Sequence, residues 1–222
     1  MNFKTIDDIE NSVIQFVGLK LPRVYTEDEV KQFLDIIISD EIFTKTYSTF
    51  GIRREMDILL FQMHRDLEIL SKRIKRIMSK SSIGMKSEIA MILTGIIRKS
   101  KYGSKVPLED YAIVGNSNQG KYLVVYPFVK TSEWYLEDFK TRAEMMGEHI
   151  KVGRKYPEVK QLLAYSFGLD DQEFIVAYEM NDIVVFQDLV MELRETKARK
   201  YTLRDTPIIS AISVDPDRLF EL

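Results

Sequence analysis

Two histidines, His64 and His149, carry all the imidazole chemistry open to this chain, and there is no cysteine. The missing cysteine removes disulfides, thiolate zinc sites, iron–sulfur clusters and cysteine nucleophiles together. His64 sits in Phe61-Gln62-Met63-His64-Arg65 with no partner ligand nearby, and reads as a structural or surface histidine. His149 lies near the C-terminal end of a helix predicted from Trp134 to Val152, which Gly153 could terminate. Steps of three and four put Tyr135, Phe139, Arg142, Met146 and His149 on one stripe. A flat apolar cofactor needs such a wall, with one nitrogen projecting from it. The electronegative helix end would make that imidazole more electron-rich. From the stripe alone a core or surface histidine remains the leading reading. Zinc is disfavoured, with two histidines in all and no H-E-x-x-H pattern. A metal held through one histidine needs a cofactor that supplies its other ligands, and haem supplies four.

Two further motifs read as ordinary structure. Gly115-Asn116-Ser117-Asn118-Gln119-Gly120-Lys121 matches most of a phosphate-binding loop. That loop needs Ser or Thr next and must open a helix, whereas Tyr122-Leu123-Val124-Val125-Tyr126 reads as a strand. A turn is the better reading. The basic run Lys72-Arg73, Lys75-Arg76 and Lys80 places Leu70, Ile74 and Ile77 on the opposite side of a helix, which predicts a solvated face.

The 222 residues fit one large domain or two of about 100 residues. A 45 % hydrophobic content supports a sizeable core, and a net charge of −2 gives no basic footprint for nucleic acid. No secretory signal opens the chain, and the longest apolar-rich stretch, 89–97, is too short to cross a bilayer. These features predict a cytoplasmic protein with no membrane and no nucleic-acid partner.

The elements that must position these side chains come in two similar sets. Phe50-Gly51-Ile52 and Phe167-Gly168-Leu169 are each followed by a polar turn and an apolar run. Strands are predicted at 12–20, 44–52, 57–63 and 88–97, with helices at 26–43 and 65–80. The second set has strands at 121–130, 159–168, 173–180 and 207–214, with helices at 133–152 and 182–198. Each half reads β-α-β-β-α-β, the ferredoxin-like order. The expected class is α+β: two tandem ferredoxin-like units, 1–105 and 106–222, forming a dimeric α/β-barrel-type subunit. One continuous α+β domain is the alternative.

The second half resembles the chlorite dismutase-like family, which includes the coproheme decarboxylases. The resemblance is carried by Tyr122-Leu123-Val124-Val125-Tyr126-Pro127-Phe128-Val129-Lys130-Thr131 with Trp134-Tyr135, by 148–157, by 165–174 and by 199–208. The first half matches weakly, mainly at Thr49-Phe50-Gly51-Ile52-Arg53. The resemblance implies an iron porphyrin, haem b or coproheme, bound in the second half. It makes His149, in E-H-x-x-x-G, the proximal iron ligand. Tyr126 and Lys130, in Y-P-x-x-K, match the decarboxylases' radical-carrying tyrosine and the lysine that assists at the propionate. Even spacing places both on one strand face with Phe128. Trp134 and Met146 would line the porphyrin. A ring-shaped homo-oligomer, often a pentamer, is implied as well.

Two departures bear on the reaction. Chlorite-cleaving members carry a distal arginine on the strand that here reads Val159-Lys160-Gln161-Leu162-Leu163-Ala164. Gln161 falls where the decarboxylases place a glutamine; a one-residue slip would put Lys160 there. Glutamine can hydrogen-bond a peroxide but brings no positive charge, so chlorite chemistry is disfavoured. The family's glutamate behind the proximal imidazole aligns with Lys197, which cannot accept the imidazole N–H, and Glu195 is the nearest substitute. The leading expectation is peroxide-dependent chemistry on an iron porphyrin, as decarboxylase or weak peroxidase. A non-catalytic haem carrier or sensor is the second reading, and a scaffold that has lost haem the third.

Overall fold

The computed structural model describes residues 3–38, 41–103, 107–115 and 120–221. The first half runs α1 (Ile6–Ile9), β1 (Val13–Lys20), α2 (Glu27–Ile37), β2 (Phe43–Ser48), β3 (Ile58–His64), α3 (Leu67–Lys80), α4 (Ser82–Met85) and β4 (Glu88–Ile97). The second runs β5 (Tyr122–Lys130), α5 (Ser132–Leu136), α6 (Phe139–Gly153), β6 (Lys160–Tyr165), β7 (Phe174–Met180) and α7 (Ile183–Arg194). A 3₁₀ turn (Lys197–Tyr201), β8 (Thr202–Arg204) and β9 (Ile209–Ser213) follow.

The strand order in the first half is β4-β1-β3-β2, and in the second β9-β5-β7-β6. Both are the ferredoxin-like arrangement of a unit's fourth, first, third and second strands. Antiparallel pairing of β2 with β9 and of β4 with β6 joins the halves. Eight strands thereby close into a barrel, and β8 adds a short edge to β5. The α+β expectation of two ferredoxin-like units in one barrel-type subunit holds. The barrel interior is a single apolar core drawn from both halves, including Phe16, Phe61, Leu93, Leu123, Leu162 and Ile175. Ala112 and Ile113 of the crossover enter it too. The proposed division at 105/106 falls on residues 104–106, outside the described residues, as does 116–119 of the phosphate-loop-like run.

The repeated Phe-Gly pairs mark equivalent β-hairpin turns. Gly51 (φ +74°) and Gly168 (φ +70°) both adopt the left-handed conformation that favours glycine. These turns end β2 at Ser48 and β6 at Tyr165, earlier than the strand propensity predicted.

Capping decides the helix starts. Thr26 and Glu29 form a reciprocal capping box on α2. Asp138 Oδ1 accepts from Thr141 N at 2.9 Å and so begins a new helix. The predicted single helix 133–152 is therefore two, α5 and α6, broken at Glu137-Asp138. The basic face of α3 needs one correction as well. Leu70, Ile74 and Ile77 are buried as expected, but so is Arg73. Its guanidinium donates to the Ile37 carbonyl at the end of α2 and to Thr44 Oγ1, a favourable place for a cation. No helix among the described residues is long and apolar enough to cross a membrane.

Candidate porphyrin site between the second sheet and its helices

Alternation along the strands divides the side chains of the second half. Leu123 and Val125 of β5, and Leu162 and Ala164 of β6, point into the barrel core. Tyr126, Phe128 and Lys130, with Gln161 and Leu163, take the opposite face. That outer face looks toward α6 and α7, and between them lies a cavity of about 170 Å³ open on one side. Tyr126, Lys130, Trp134, Met146, His149 and Gln161 all line it. Lys160 does not; its ammonium is paired with Asp110.

Of the predicted helical stripe, Met146 and His149 reach this cavity. Tyr135 and Arg142 line a second, adjoining cavity instead. Phe139 is exposed and stacks on Tyr102 with ring centroids 5.6 Å apart. Tyr135 leaves the stripe because it belongs to α5, across the break set by the Asp138 cap.

Burial and charge shape each group. His149 Nδ1 is buried and has no hydrogen-bond partner. Burial, helped by the Lys130 charge, lowers the imidazole pKa to about 4, so the ring is neutral at pH 7. The Lys197 position supplies no acceptor to it; the Lys197 backbone N–H donates to Glu148 Oε2 at 3.1 Å. Lys130 Nζ donates to the Ala198 carbonyl at 3.1 Å and sits 4.5 Å from the Trp134 ring centroid, a cation–π contact. Burial and the Arg199 charge lower its pKa to about 8, against a smaller pull from Glu173. Trp134 is 3 % exposed and packs on Tyr201. The Tyr126 phenol is pushed up by burial and stays protonated at neutral pH. His64 has a structural contact, its Nδ1 accepting from Asp66 N at 2.9 Å.

Other residues at the cavity were not singled out from the sequence. Asp205 holds Arg199 at 2.7 Å and Arg194 at 3.0 Å, and all three line the cavity. Arg199 and Asp205 lie inside the 199–208 stretch that carried the family resemblance, so the signal was there without a role attached. Tyr178 of β7 also faces the cavity; nothing in its sequence context marked it.

Residues 23–214 match the family model described as chlorite dismutase. The chain belongs to the chlorite dismutase family. It is 28 % identical over 224 residues to the coproheme decarboxylase of Mycolicibacterium smegmatis, covering 96 % of this chain and 95 % of that protein. A chlorite dismutase of Ideonella dechloratans is 26 % identical over 171 residues, 74 % of this chain and 60 % of that one. In fold, a chlorite dismutase variant from Candidatus Nitrospira defluvii superposes with a TM-score of 0.86 at 22 % identity, covering 96 % and 94 % of the two chains. Haem b or coproheme is the cofactor of this family.

The cavity fits such a group in this chlorite dismutase family member. Its walls are largely apolar and aromatic, and one neutral imidazole with a buried unpartnered nitrogen stands in them. Among the described residues no cluster of three or more His, Cys, Asp or Glu is placed to hold a metal ion. A metal bound through His149 would therefore have to bring its other ligands with it.

Proposed function

We propose that this protein binds an iron porphyrin through His149 and, with coproheme, uses peroxide to remove propionate carboxylates. The supporting observation is one cavity that gathers a neutral imidazole, a protonated tyrosine, a lysine and a glutamine against apolar and aromatic walls. The porphyrin, when bound, supplies the metal and the oxidising equivalents drawn from peroxide. Overall, each propionic acid and one peroxide give a vinyl group, carbon dioxide and two waters.

The chain's own residues divide the remaining work. His149 offers a lone pair at neutral pH because burial keeps its proton off. Tyr126 keeps its phenolic proton, so it can give up an electron and that proton to the oxidising equivalents and then take a hydrogen atom from a propionate. Lys130 lies four residues along the strand on the same face and is still mostly protonated at pH 7, so it can meet a carboxylate with positive charge or a proton. Gln161 offers an amide to a distal oxygen without adding charge. Trp134 and Met146 wall the site. With haem b in place of coproheme, the same arrangement gives weak peroxidase activity. Chlorite cleavage is disfavoured: β6 has no arginine, and Arg194 and Arg199 are both engaged by Asp205. The subunit is proposed to assemble as a cytoplasmic ring-shaped homopentamer, to be checked by its mass in solution.

Titration with haem and coproheme, followed by the Soret band and Trp134 fluorescence, is expected to saturate. Peroxide added to the coproheme complex should then yield products lighter by carboxylates in mass spectrometry, and Tyr126→Phe should not. Equal product from both proteins would sink the decarboxylase reading. The missing acceptor at His149 Nδ1 favours a second reading, a haem carrier, because the imidazole is then a weaker donor. Saturable binding with no carboxylate loss would select it.

A further inference from the structure

The β6–β7 hairpin that turns at Gly168 reaches Glu173 just before β7, and this half-buried carboxylate has no place in the chemistry above. Its backbone N–H donates to the Phe128 carbonyl at 3.2 Å, and its Oε2 accepts the Lys130 N–H at 2.7 Å. The end of β5 is thus held through both the main chain and the side chain of one residue. The same Oε2 accepts the Tyr135 O–H at 2.5 Å. Tyr135 lies on α5, which also carries Trp134, the ring that stands 4.5 Å from Lys130 Nζ. With five residues, α5 is too short to hold itself by its own helical hydrogen bonds, so tertiary ties must place it. Tyr201 and Tyr102 pack on the Trp134 ring, with centroids 5.4 and 6.3 Å away, and Glu173 adds the hydrogen bond that joins α5 to the hairpin.

We propose that Glu173 is a positioning residue: one carboxylate oxygen holds the Lys130 backbone and the Tyr135 hydroxyl together, and so sets Trp134 against the Lys130 ammonium at the cavity wall. This assignment rests on the reading that Lys130 acts on a propionate.

The arrangement leaves the lysine's charge available. Its ammonium donates to the Ala198 carbonyl at 3.1 Å and lies 4.5 Å from the Trp134 centroid and 5.2 Å from that of Phe128. Among the described residues it has no carboxylate partner. A carboxylate paired with that ammonium would neutralise the charge that a substrate carboxylate needs to meet. Glu173 spends its oxygen on an N–H and a phenol instead, and its negative charge strengthens both hydrogen bonds.

The test uses the full-length protein, whose one tryptophan reports on α5. Trp134 is 3 % exposed, so acrylamide should quench its fluorescence slowly in wild-type apoprotein. In Glu173→Ala and in Tyr135→Phe the quenching constant is expected to rise about 2-fold or more, because α5 opens locally at lower cost. Unchanged quenching in Tyr135→Phe, which loses a single hydroxyl and decides alone if Glu173→Ala does not fold, would overturn the proposal. Glu173→Gln keeps an acceptor oxygen and should restore most of the protection; quenching as fast as in Glu173→Ala would refute the hydrogen-bonding role. With saturating coproheme and peroxide, Glu173→Ala should slow carboxylate loss by roughly 3- to 10-fold while leaving porphyrin affinity within about 2-fold. Loss at the wild-type rate would reduce the tie to a structural one and remove the positioning role. Added to Lys130→Met, the same substitution should cost less than about 2-fold, since the lysine it positions is gone, and a fully additive loss would count against the proposal. If Lys130→Met alone leaves carboxylate loss unchanged, the reading of Lys130 fails, and the quenching still decides whether Glu173 holds α5.

Discussion

The two halves share one topology and treat the space between sheet and helices differently. In the first half that space is filled. Phe33, Ile36 and Ile37 from α2 and Ile74 and Ile77 from α3 pack against Val17, Leu19, Ile58 and Leu60 of the sheet. In the second half α6 fully buries only Met145 and α7 only Leu189, and the cavity that holds His149 opens under them. The same fold can spend its outer sheet face on stability or on a site. The first half anchors the barrel, and the second forgoes part of its packing to hold a ligand.

Truncating a filled position should cost most. Phe33→Ala should lower stability by about 3–5 kcal/mol, since the loss combines transfer and cavity terms. Leu193→Ala, at the wall of the existing cavity, should cost only about 1–2 kcal/mol, because that side chain already lacks partners on one side. Equal losses in urea unfolding would erase the contrast between the halves. Next in size, His149→Ala should weaken coproheme binding by more than the roughly 10- to 100-fold seen when only a hydrogen-bond partner behind a metal ligand is lost. Unchanged Soret titration would refute the ligand assignment.

The acid side offers a third probe. The folded His149 pKa, about 4, lies below its ordinary value of 6.5, so the unfolded chain takes up that proton first as pH falls. This contribution to stability is complete above about pH 6.5 and is lost on descending toward pH 4, amounting to roughly 3 kcal/mol. The pH dependence of the urea midpoint should therefore be steeper in wild-type apoprotein than in His149→Phe, and parallel curves would count against a buried neutral imidazole. The smallest effect belongs to Lys130. Its desolvated charge costs the apoprotein stability at neutral pH, and Lys130→Met should raise stability by about 1 kcal/mol, some 3 °C in Tm, while slowing carboxylate loss. A lower Tm would mean the Ala198 contact outweighs the burial cost.

The element order, both ferredoxin-like units and the paired turns at Gly51 and Gly168 were legible because strand and helix periodicity and turn chemistry are local. So was the gathering of Tyr126, Phe128 and Lys130 on one face, which needs only the alternation of a strand. Local signals were overruled where a cap or a distant carbonyl intervened. Asp138 split one predicted helix in two and removed Tyr135 from the His149 stripe. The Ile37 carbonyl drew Arg73 out of solvent.

By itself the sequence determined which chemistries were open: no thiolate site, no nucleotide loop, two histidines, and a family whose motifs cluster in the second half. Only the tertiary structure decided that strands from both halves close one barrel, because β2–β9 and β4–β6 pair residues more than 60 positions apart. It also decided that Gln161 rather than Lys160 faces His149's cavity, since a one-residue register choice moves every side chain to the other face. The cavity itself is a matter of volume, of what α6 and α7 fail to fill, and no pattern along one strand or helix encodes that.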